Sequence, residues 1–305
     1  MGHPLVKSDG PAFARPSPLA VVELLKPITW FAPMWAYACG VISAGQPFEG
    51  RWLEVALGVL LAGPLVCGTS QAVNDWYDRH VDAINEPDRP IPSGRVPGQW
   101  GLYVGLIWTL ASLAVASALG IWALTAACVG LALAWAYSAP PIRLKQEGWR
   151  GATAVAACYE GLPWFTGATI MASALPDWRV CLIAALYSVG AIGIMTLNDF
   201  KAVEGDRRMG IRSLPVQLGV ERAALLACVM MVIPQVVVVA LLIAWGASWH
   251  AIAVALLLIA QLVLMRRLLR EPRKQAPFYN ATGTSLYVAG MMVSAFALSN
   301  FAGTA

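Results

Sequence analysis

Nine long apolar stretches constrain the fold of this 305-residue chain more than any other feature of its sequence. A bilayer core about 30 Å thick is crossed by roughly 20 mostly apolar residues in a helix. Only 12% of the residues are charged, about half the share typical of a soluble domain, and this excludes a disordered chain. We therefore predict an all-α polytopic membrane protein with nine transmembrane helices, at 24–45, 52–73, 101–119, 121–139, 152–173, 178–198, 222–244, 248–266 and 282–303.

The basic residues predict the orientation of these spans. One side of the membrane receives the N-terminus and the loops after the even-numbered spans, and it holds 19 of the 21 lysine and arginine residues. Because cytoplasmic loops carry the excess of basic residues, we expect a cytoplasmic N-terminus and a C-terminus on the opposite side. We interpret residues 1–20 as a flexible cytoplasmic tail and residues 21–305 as a single transmembrane domain.

An acidic cluster follows the second apolar stretch, where Asn74 and Asp75 are followed by Asp78 and Asp82. The three carboxylates stand at positions i, i+3 and i+7, which share one face of a helix. Like charges on one face repel. A divalent cation removes that repulsion, since Mg²⁺ takes carboxylate oxygens together with phosphate and water. A solvated loop is the alternative interpretation.

A similar cluster ends the sixth apolar stretch, at Asn198, Asp199, Glu204 and Asp206. The two aspartates are seven residues apart, which is also the separation of the first and last carboxylates of the first cluster. We expect the two acidic helix ends to face each other and to hold metal ions between them.

Basic residues accompany the acids in the same predicted loops, chiefly Arg89, Arg143, Lys145 and Lys201. Carboxylates that hold a metal beside cations that hold phosphate are typical of a site for a metal-bridged diphosphate. The positive-inside rule alone is the competing explanation for each cation. Glu160 lies within the fifth apolar stretch, where a carboxylate is costly and often functional. Contact with a substrate and a purely structural role both remain open for it.

These motifs resemble those of the UbiA-type intramembrane prenyltransferases, and the resemblance covers nearly the whole chain after about residue 20. The first acidic cluster matches the family's NDxxDxxxD pattern, and the run at 137–145 matches the family's loop after span four. The second cluster departs from the short DxxxD spacing of quinone-pathway members. The runs at 82–94, 198–207 and 212–219 are instead similar to the chlorophyll synthase branch, and most similar to its purple-bacterial members.

The resemblance implies nine helices around a central cavity that opens to the cytoplasm and to lipid. It also implies Mg²⁺ as cofactor and a polyprenyl diphosphate, geranylgeranyl or phytyl, as donor. The acceptor would be the propionate carboxylate of a bacteriochlorophyllide-type macrocycle. A carboxylate is already a nucleophile, so we name no general base. The expected location is a bacterial inner membrane, cytoplasmic or intracytoplasmic, with the active site cytoplasmic. Expected protein partners are pigment-biosynthesis or photosystem-assembly proteins, and no nucleic acid is expected.

The site residues follow from the motifs and the resemblance together. We assign catalytic roles to Asp75, Asp78, Asp82, Asp199, Asp206 and Lys145. We assign substrate binding to Asn74, Arg89, Arg143, Lys145, Lys201, Asn198 and Glu160. The predicted metal ligands are Asp75, Asp78, Asp82, Asp199, Glu204, Asp206 and Asn74.

Three other functions compete with this one. A prenyltransferase of the same family could act on chlorophyllide a, a quinone precursor or a haem. A divalent-cation or organic-anion transporter would place its acids near the bilayer midplane, whereas here they cluster at helix ends. A pigment-binding structural protein would need intramembrane axial ligands such as histidine, and only His250 comes close.

Overall fold

The computed structural model describes residues 15–301, and every regular element within that range is helical. The all-α prediction is confirmed for this part of the chain. The helices are α1 (Pro18–Leu24), α2 (Phe31–Ser43), α3 (Trp52–Leu60), α4 (Gly68–Asn85), α5 (Trp100–Ala118), α6 (Ile121–Ser138), α7 (Gly148–Ala156), α8 (Leu162–Ala172), α9 (Trp178–Asn198), α10 (Val203–Arg208), α11 (Leu214–Leu218), α12 (Val220–Ala244), α13 (Ser248–Arg270) and α14 (Pro272–Ser299).

Seven helical stretches within residues 15–301 are long and apolar enough to cross a bilayer, which makes the chain a multi-pass membrane protein. One of them, Trp52–Asn85, joins α3 and α4 into a continuous helix of 34 residues. The predicted count of nine is not confirmed, because two predicted spans fall outside this set. Helix α2 has only 13 residues, and the run 148–172 is rich in glycine, alanine and polar residues.

Six of the nine predicted spans agree with the observed helix bounds to within four residues, and the other three are corrected. The prediction at 24–45 starts too early, because Lys26 adopts a left-handed backbone (φ 49°) and Pro27 opens a separate short turn. The prediction at 52–73 ends too early, since the helix continues through its polar end to Asn85. Helix α14 begins ten residues before the predicted 282. Most of the predicted 1–20 tail lies outside the described residues, and its last residues enter α1.

Two helices contain a π-helical turn, at Leu61–Cys67 and at Ala157–Gly161. Proline accounts for both positions, because its ring clashes with the carbonyl four residues earlier and it has no N–H to donate. Pro64 lies inside the first turn, and Pro163 follows directly after the second. Such turns add a residue to one helical turn and often occur at functional sites.

The core lies where α2, α8, α9, α12, α13 and α14 meet. Glycine brings α2 and α8 together, since a Cβ on Gly40 would stand 2.0 Å from the Trp164 carbonyl oxygen. A buried aromatic group continues the contact, with the Trp164 and Tyr187 ring centroids 5.8 Å apart. Helices α9 and α14 of this core also form one wall of the larger cavity described next.

Candidate active site

Two adjoining cavities occupy the centre of the bundle. The larger, here called the apolar chamber, has a volume of about 620 Å³ and is lined mostly by aliphatic and aromatic side chains. The smaller, here called the polar chamber, has a volume of about 210 Å³ and lies at the end of the bundle that carries the acidic clusters. Asn74, Tyr137, Val155 and Met195 line both. The two chambers therefore meet at these four residues.

The polar chamber brings part of each acidic cluster together. It is lined by Asn74 and Asp78 from α4, by Asp199 and Asp206 from the end of α9 and from α10, and by Lys145. Helix α4 reaches this end because it extends well beyond the apolar stretch, so its polar last turns stand beside the loops.

The two loops above the polar chamber are joined by backbone hydrogen bonds. The Arg212 N–H donates to the Gln146 carbonyl at 3.0 Å, and the Gly148 N–H donates to the Arg212 carbonyl at 2.8 Å. The Glu147 carboxylate caps the first turn of α7 and also accepts a hydrogen bond from Gln217. These contacts fix the loop that carries Lys145 against the segment that follows α10.

Asp78 is the acidic residue of the first cluster that points into the polar chamber. Its carboxylate accepts hydrogen bonds from Lys145 and, at 3.3 Å, from Arg143. Burial lowers the pKa of Lys145, while the negative charge of Asp78 acts in the opposite direction. Arg143 adopts a left-handed backbone (φ 43°), a conformation that costs about 1–3 kcal/mol in a residue with a side chain and often marks functional loops.

Asp75 and Asp82 occupy a neighbouring position outside the polar chamber. Arg89 lies between them, with its guanidinium 2.9 Å from the Asp82 carboxylate and 3.4 Å from that of Asp75. Lys26 also donates to Asp75, at 2.6 Å. At about 100° per residue, Asp75 and Asp82 differ by only about 20° around the helix, whereas Asp78 stands about 60° from Asp75. This rotation explains why the three carboxylates have two different sets of partners.

The second cluster divides in the same way. Asp206 is buried and accepts a hydrogen bond from the Ser213 hydroxyl at 2.7 Å. Burial raises the pKa of Asp206, and the Ser213 hydrogen bond opposes that shift. Glu204 does not line the polar chamber: its side chain is 63% exposed and pairs with Arg273. Lys201 is exposed as well.

The apolar chamber receives the remaining predicted substrate residues, Asn198 and Glu160. Asn198 accepts a hydrogen bond from Asn280 at 2.7 Å. Both π-helical turns line this chamber, through Cys67 in one and Tyr159 in the other. Its walls are therefore shaped by the irregular turns that proline imposes on two helices.

The side chains fit a divalent cation that shares its coordination with a phosphate. Within residues 15–301 no three acidic, histidine or cysteine side chains converge closely enough to enclose an ion. Mg²⁺ is commonly held by one or two carboxylates, with substrate phosphates and water completing the octahedron. Asp78, Asp199 and Asp206 supply such carboxylates around one chamber. Asp75 adds a buried oxygen, Oδ2, that has no hydrogen-bond partner in the described part of the chain.

Several residues of the site were missed by the sequence interpretation. Lys26 is one of the 19 basic residues that predict the orientation of the spans, and the structure pairs it with Asp75. Tyr137 lines both chambers, and Ser138 accepts hydrogen bonds from Asn74 and Lys145. The motif run 137–145 contained these two residues but did not single them out. Ser213 lies in the motif run 212–219 but was not singled out, because its role depends on its hydrogen bond to Asp206.

The chain is similar in sequence to known proteins along most of its length. The chain is 58% identical to the bacteriochlorophyll synthase 33 kDa chain of Cereibacter sphaeroides, over 93% of this chain and 94% of that one. It is 52% identical to the bacteriochlorophyll synthase 33 kDa chain of Rhodobacter capsulatus, over 94% of this chain and 95% of that one.

A solved structure shows the same fold. The UbiA homologue of Archaeoglobus fulgidus bound to GPP and Mg²⁺ superposes with a TM-score of 0.67 at 21% identity, covering 88% of this chain and 99% of that one. The model of the UbiA prenyltransferase family matches residues 28–297. The resemblance predicted from the motifs is thus confirmed, and the chain belongs to the UbiA prenyltransferase family.

Proposed function

We propose that the chain is a Mg²⁺-dependent prenyltransferase that esterifies the propionate carboxylate of bacteriochlorophyllide a with geranylgeranyl or phytyl diphosphate. One observation carries the proposal: a chamber lined by acids and a lysine adjoins a larger apolar chamber and shares four lining residues with it. A prenyl diphosphate has the same division into a charged head and an apolar chain. The names of the two purple-bacterial relatives support the choice of acceptor.

The reaction breaks the bond between the allylic carbon and the diphosphate oxygen, and its electron pair leaves with the diphosphate. A carboxylate oxygen of the acceptor then forms the new bond to that carbon, which gives the ester. Bound Mg²⁺ would neutralise the charge that develops on the leaving group. The ligands we propose for it are Asp78, Asp199 and Asp206, with Asn74 as a further oxygen donor.

Basic side chains of the site hold the diphosphate. Lys145 lines the polar chamber, and Arg143 contacts the same Asp78 carboxylate as Lys145. We therefore expect a diphosphate bound in the polar chamber to lie near both cations. Their fixed positive charges stabilise the leaving group without reorganisation, which is the main electrostatic contribution to such a step. The apolar chamber excludes water from the allylic cation. Exclusion of water favours ester formation over hydrolysis.

Arg89 occupies the place between Asp75 and Asp82 that the sequence interpretation gave to a metal ion. We propose that Lys26 and Arg89 neutralise these carboxylates until substrate arrives, and that Arg89 then contacts the diphosphate. The free oxygen of Asp75 remains available to a metal ion. Glu204 and Lys201 stand at the outer edge of the site. The role of Glu204 as a metal ligand and the role of Lys201 in substrate binding remain predictions.

We propose nine crossings of a bacterial inner membrane, with the polar chamber on the cytoplasmic side and the C-terminus on the opposite side. The basic residues support this orientation: Lys145, Arg143 and Arg89 belong to the loops at the polar end, whereas Arg51 and Arg179 belong to the other end. An excess of basic residues marks cytoplasmic loops.

The decisive experiment measures ester formation by the full chain in lipid vesicles. Geranylgeranyl diphosphate and Mg²⁺ are supplied with bacteriochlorophyllide a in one arm and chlorophyllide a in the other, and the pigments are separated by chromatography. The proposal expects ester in the first arm, none without divalent metal, and a lower rate with chlorophyllide a. Equal rates without metal contradict the mechanism, and a preference for chlorophyllide a contradicts the choice of acceptor.

A further inference from the structure

Glu160 is a buried carboxyl group that the reaction described above does not use. The residue is 4% exposed, lines the apolar chamber and leaves its Oε2 oxygen without a hydrogen-bond partner among the described residues. No lysine or arginine of residues 15–301 forms an ion pair with it. It is also the only acidic residue among those described as lining this chamber.

The local backbone holds Glu160 in this place. It lies in the π-helical turn Ala157–Gly161, where the extra residue of the turn changes the direction of the side chains that follow. Gly161 packs against α9, and a Cβ there would stand 2.6 Å from the Ser188 hydroxyl. The turn therefore cannot rotate freely, and Glu160 is held in the wall of the chamber.

An unpartnered carboxyl in an apolar cavity is costly, and inside a membrane such a group is usually functional. A prenyl chain offers it nothing to bind. A flat apolar macrocycle with a central Mg²⁺ offers a hard cation that takes an additional oxygen ligand, and carboxylate oxygens suit Mg²⁺. An apolar chamber with one unpartnered acid matches an apolar body with one cation at its centre.

We infer that Glu160 is the axial ligand of the central metal of the acceptor macrocycle. This inference rests on the proposed function, since it assumes that the acceptor is a metal-bearing macrocycle. Glu160 follows Gly151, which lines the polar chamber, by nine residues, or about 13 Å along the helix axis. Ligation at Glu160 places the ring in the apolar chamber, where it lies beside the prenyl chain, and leaves its propionate arm free to extend towards Asn74 and Tyr137.

A second polar atom on the facing helix fits the same ring. The Thr284 hydroxyl of α14 lines the apolar chamber and has no hydrogen-bond partner among the described residues. It can donate to a peripheral carbonyl of the macrocycle. Thr284 therefore provides a matched control, because its contact does not depend on the central metal.

The test measures binding of the acceptor to the full chain in lipid nanodiscs without prenyl diphosphate. Bacteriochlorophyllide a and the metal-free form of the same macrocycle are titrated separately, the second also with free Mg²⁺. Loss of one charge-assisted contact weakens binding on the order of 10–100-fold, so the wild-type chain is expected to bind the metal-bearing form that much more tightly. A shift of the visible absorption band on binding reports the new axial ligand.

Glu160→Gln is expected to abolish this preference, leaving the two dissociation constants within about threefold, and to abolish the band shift. Glu160→Asp, which keeps the carboxylate, is expected to retain part of both. Thr284→Val is expected to weaken both forms equally and to preserve their ratio. Each variant is first compared with the wild-type chain for its melting temperature, so that misfolding is recognised.

Equal wild-type affinity for the two forms overturns the inference without recourse to any variant. A preference that Glu160→Gln leaves unchanged overturns it as well. If free Mg²⁺ restores tight binding of the metal-free form, Glu160 binds a separate ion, and this result also contradicts the inference. Failure of the proposed function has a different signature, because the binding preference then persists while no ester forms in the vesicle assay.

Discussion

Asp78→Asn tests the polar chamber most sharply among single substitutions. In the wild-type chain the Asp78 carboxylate pairs with Lys145 and Arg143. The side chains of Asp78 and Lys145 are only 21% and 9% exposed. One charge about 4 Å from its partner contributes about 4 kcal/mol at an effective dielectric constant of about 20. Partial exposure reduces this to about 3 kcal/mol, so kcat/KM for the prenyl diphosphate should fall about 10²–10³-fold.

The assay is initial-rate ester formation in vesicles at a series of Mg²⁺ concentrations. If Asp78 is a metal ligand, the Asp78→Asn chain has a lower rate and also needs a higher Mg²⁺ concentration than the wild-type chain to reach half of its maximal rate. Asp88→Asn is the matched control, because Asp88 is exposed in the following loop and lines neither chamber. An Asp78→Asn chain that inserts normally and keeps more than a tenth of the wild-type rate would refute the reasoning.

Three further predictions follow from particular contacts. Gly40→Ala places a Cβ 2.0 Å from the Trp164 carbonyl oxygen and should lower the free energy of unfolding by about 1–3 kcal/mol, as measured by thermal unfolding in detergent. Gly205→Ala is the control and should leave the free energy of unfolding unchanged, because nothing lies within 4 Å of the added Cβ. Ser213→Ala removes the hydrogen bond to the buried Asp206 and should lower kcat about tenfold, whereas an unchanged kcat would show that Asp206 needs no support. Asp206→Asn should reduce the rate at least tenfold more than Glu204→Gln, because only Asp206 lines the polar chamber; equal losses in parallel rate assays would contradict that placement.

The helices could largely be predicted from hydropathy, but their ends depend on contacts that hydropathy does not report. Helix α4 continues to Asn85 because its polar last turns pair with Lys26 and Lys145 across the fold, and with Arg89 in the loop that follows the helix. A hydropathy window ends where the apolar residues end. In the same way, the left-handed backbone at Lys26 breaks a stretch whose composition alone favours one continuous helix.

The grouping of the acids in the candidate site could be predicted from the sequence, but their contact partners could not. The spacing of the acids placed two clusters at one end of the bundle, where the structure brings Asp78, Asp199 and Asp206 around one chamber. Spacing could not show that Arg89 stands between Asp75 and Asp82, since that contact depends on the path of the loop after α4. Nor could it show that Glu204 faces outward, because the direction of the short helix α10 is set by tertiary packing.

A structure of the chain with Mg²⁺ and an unreactive analogue of geranylgeranyl diphosphate tests the central claim most directly. The account predicts both phosphorus atoms in the polar chamber, within reach of Lys145, with a metal ion between the phosphate oxygens and the carboxylates of Asp78 and Asp199. It also predicts the isoprenoid chain in the apolar chamber, past Asn74 and Tyr137. A diphosphate bound outside the polar chamber, or a chain that leaves the apolar chamber empty, would contradict the account.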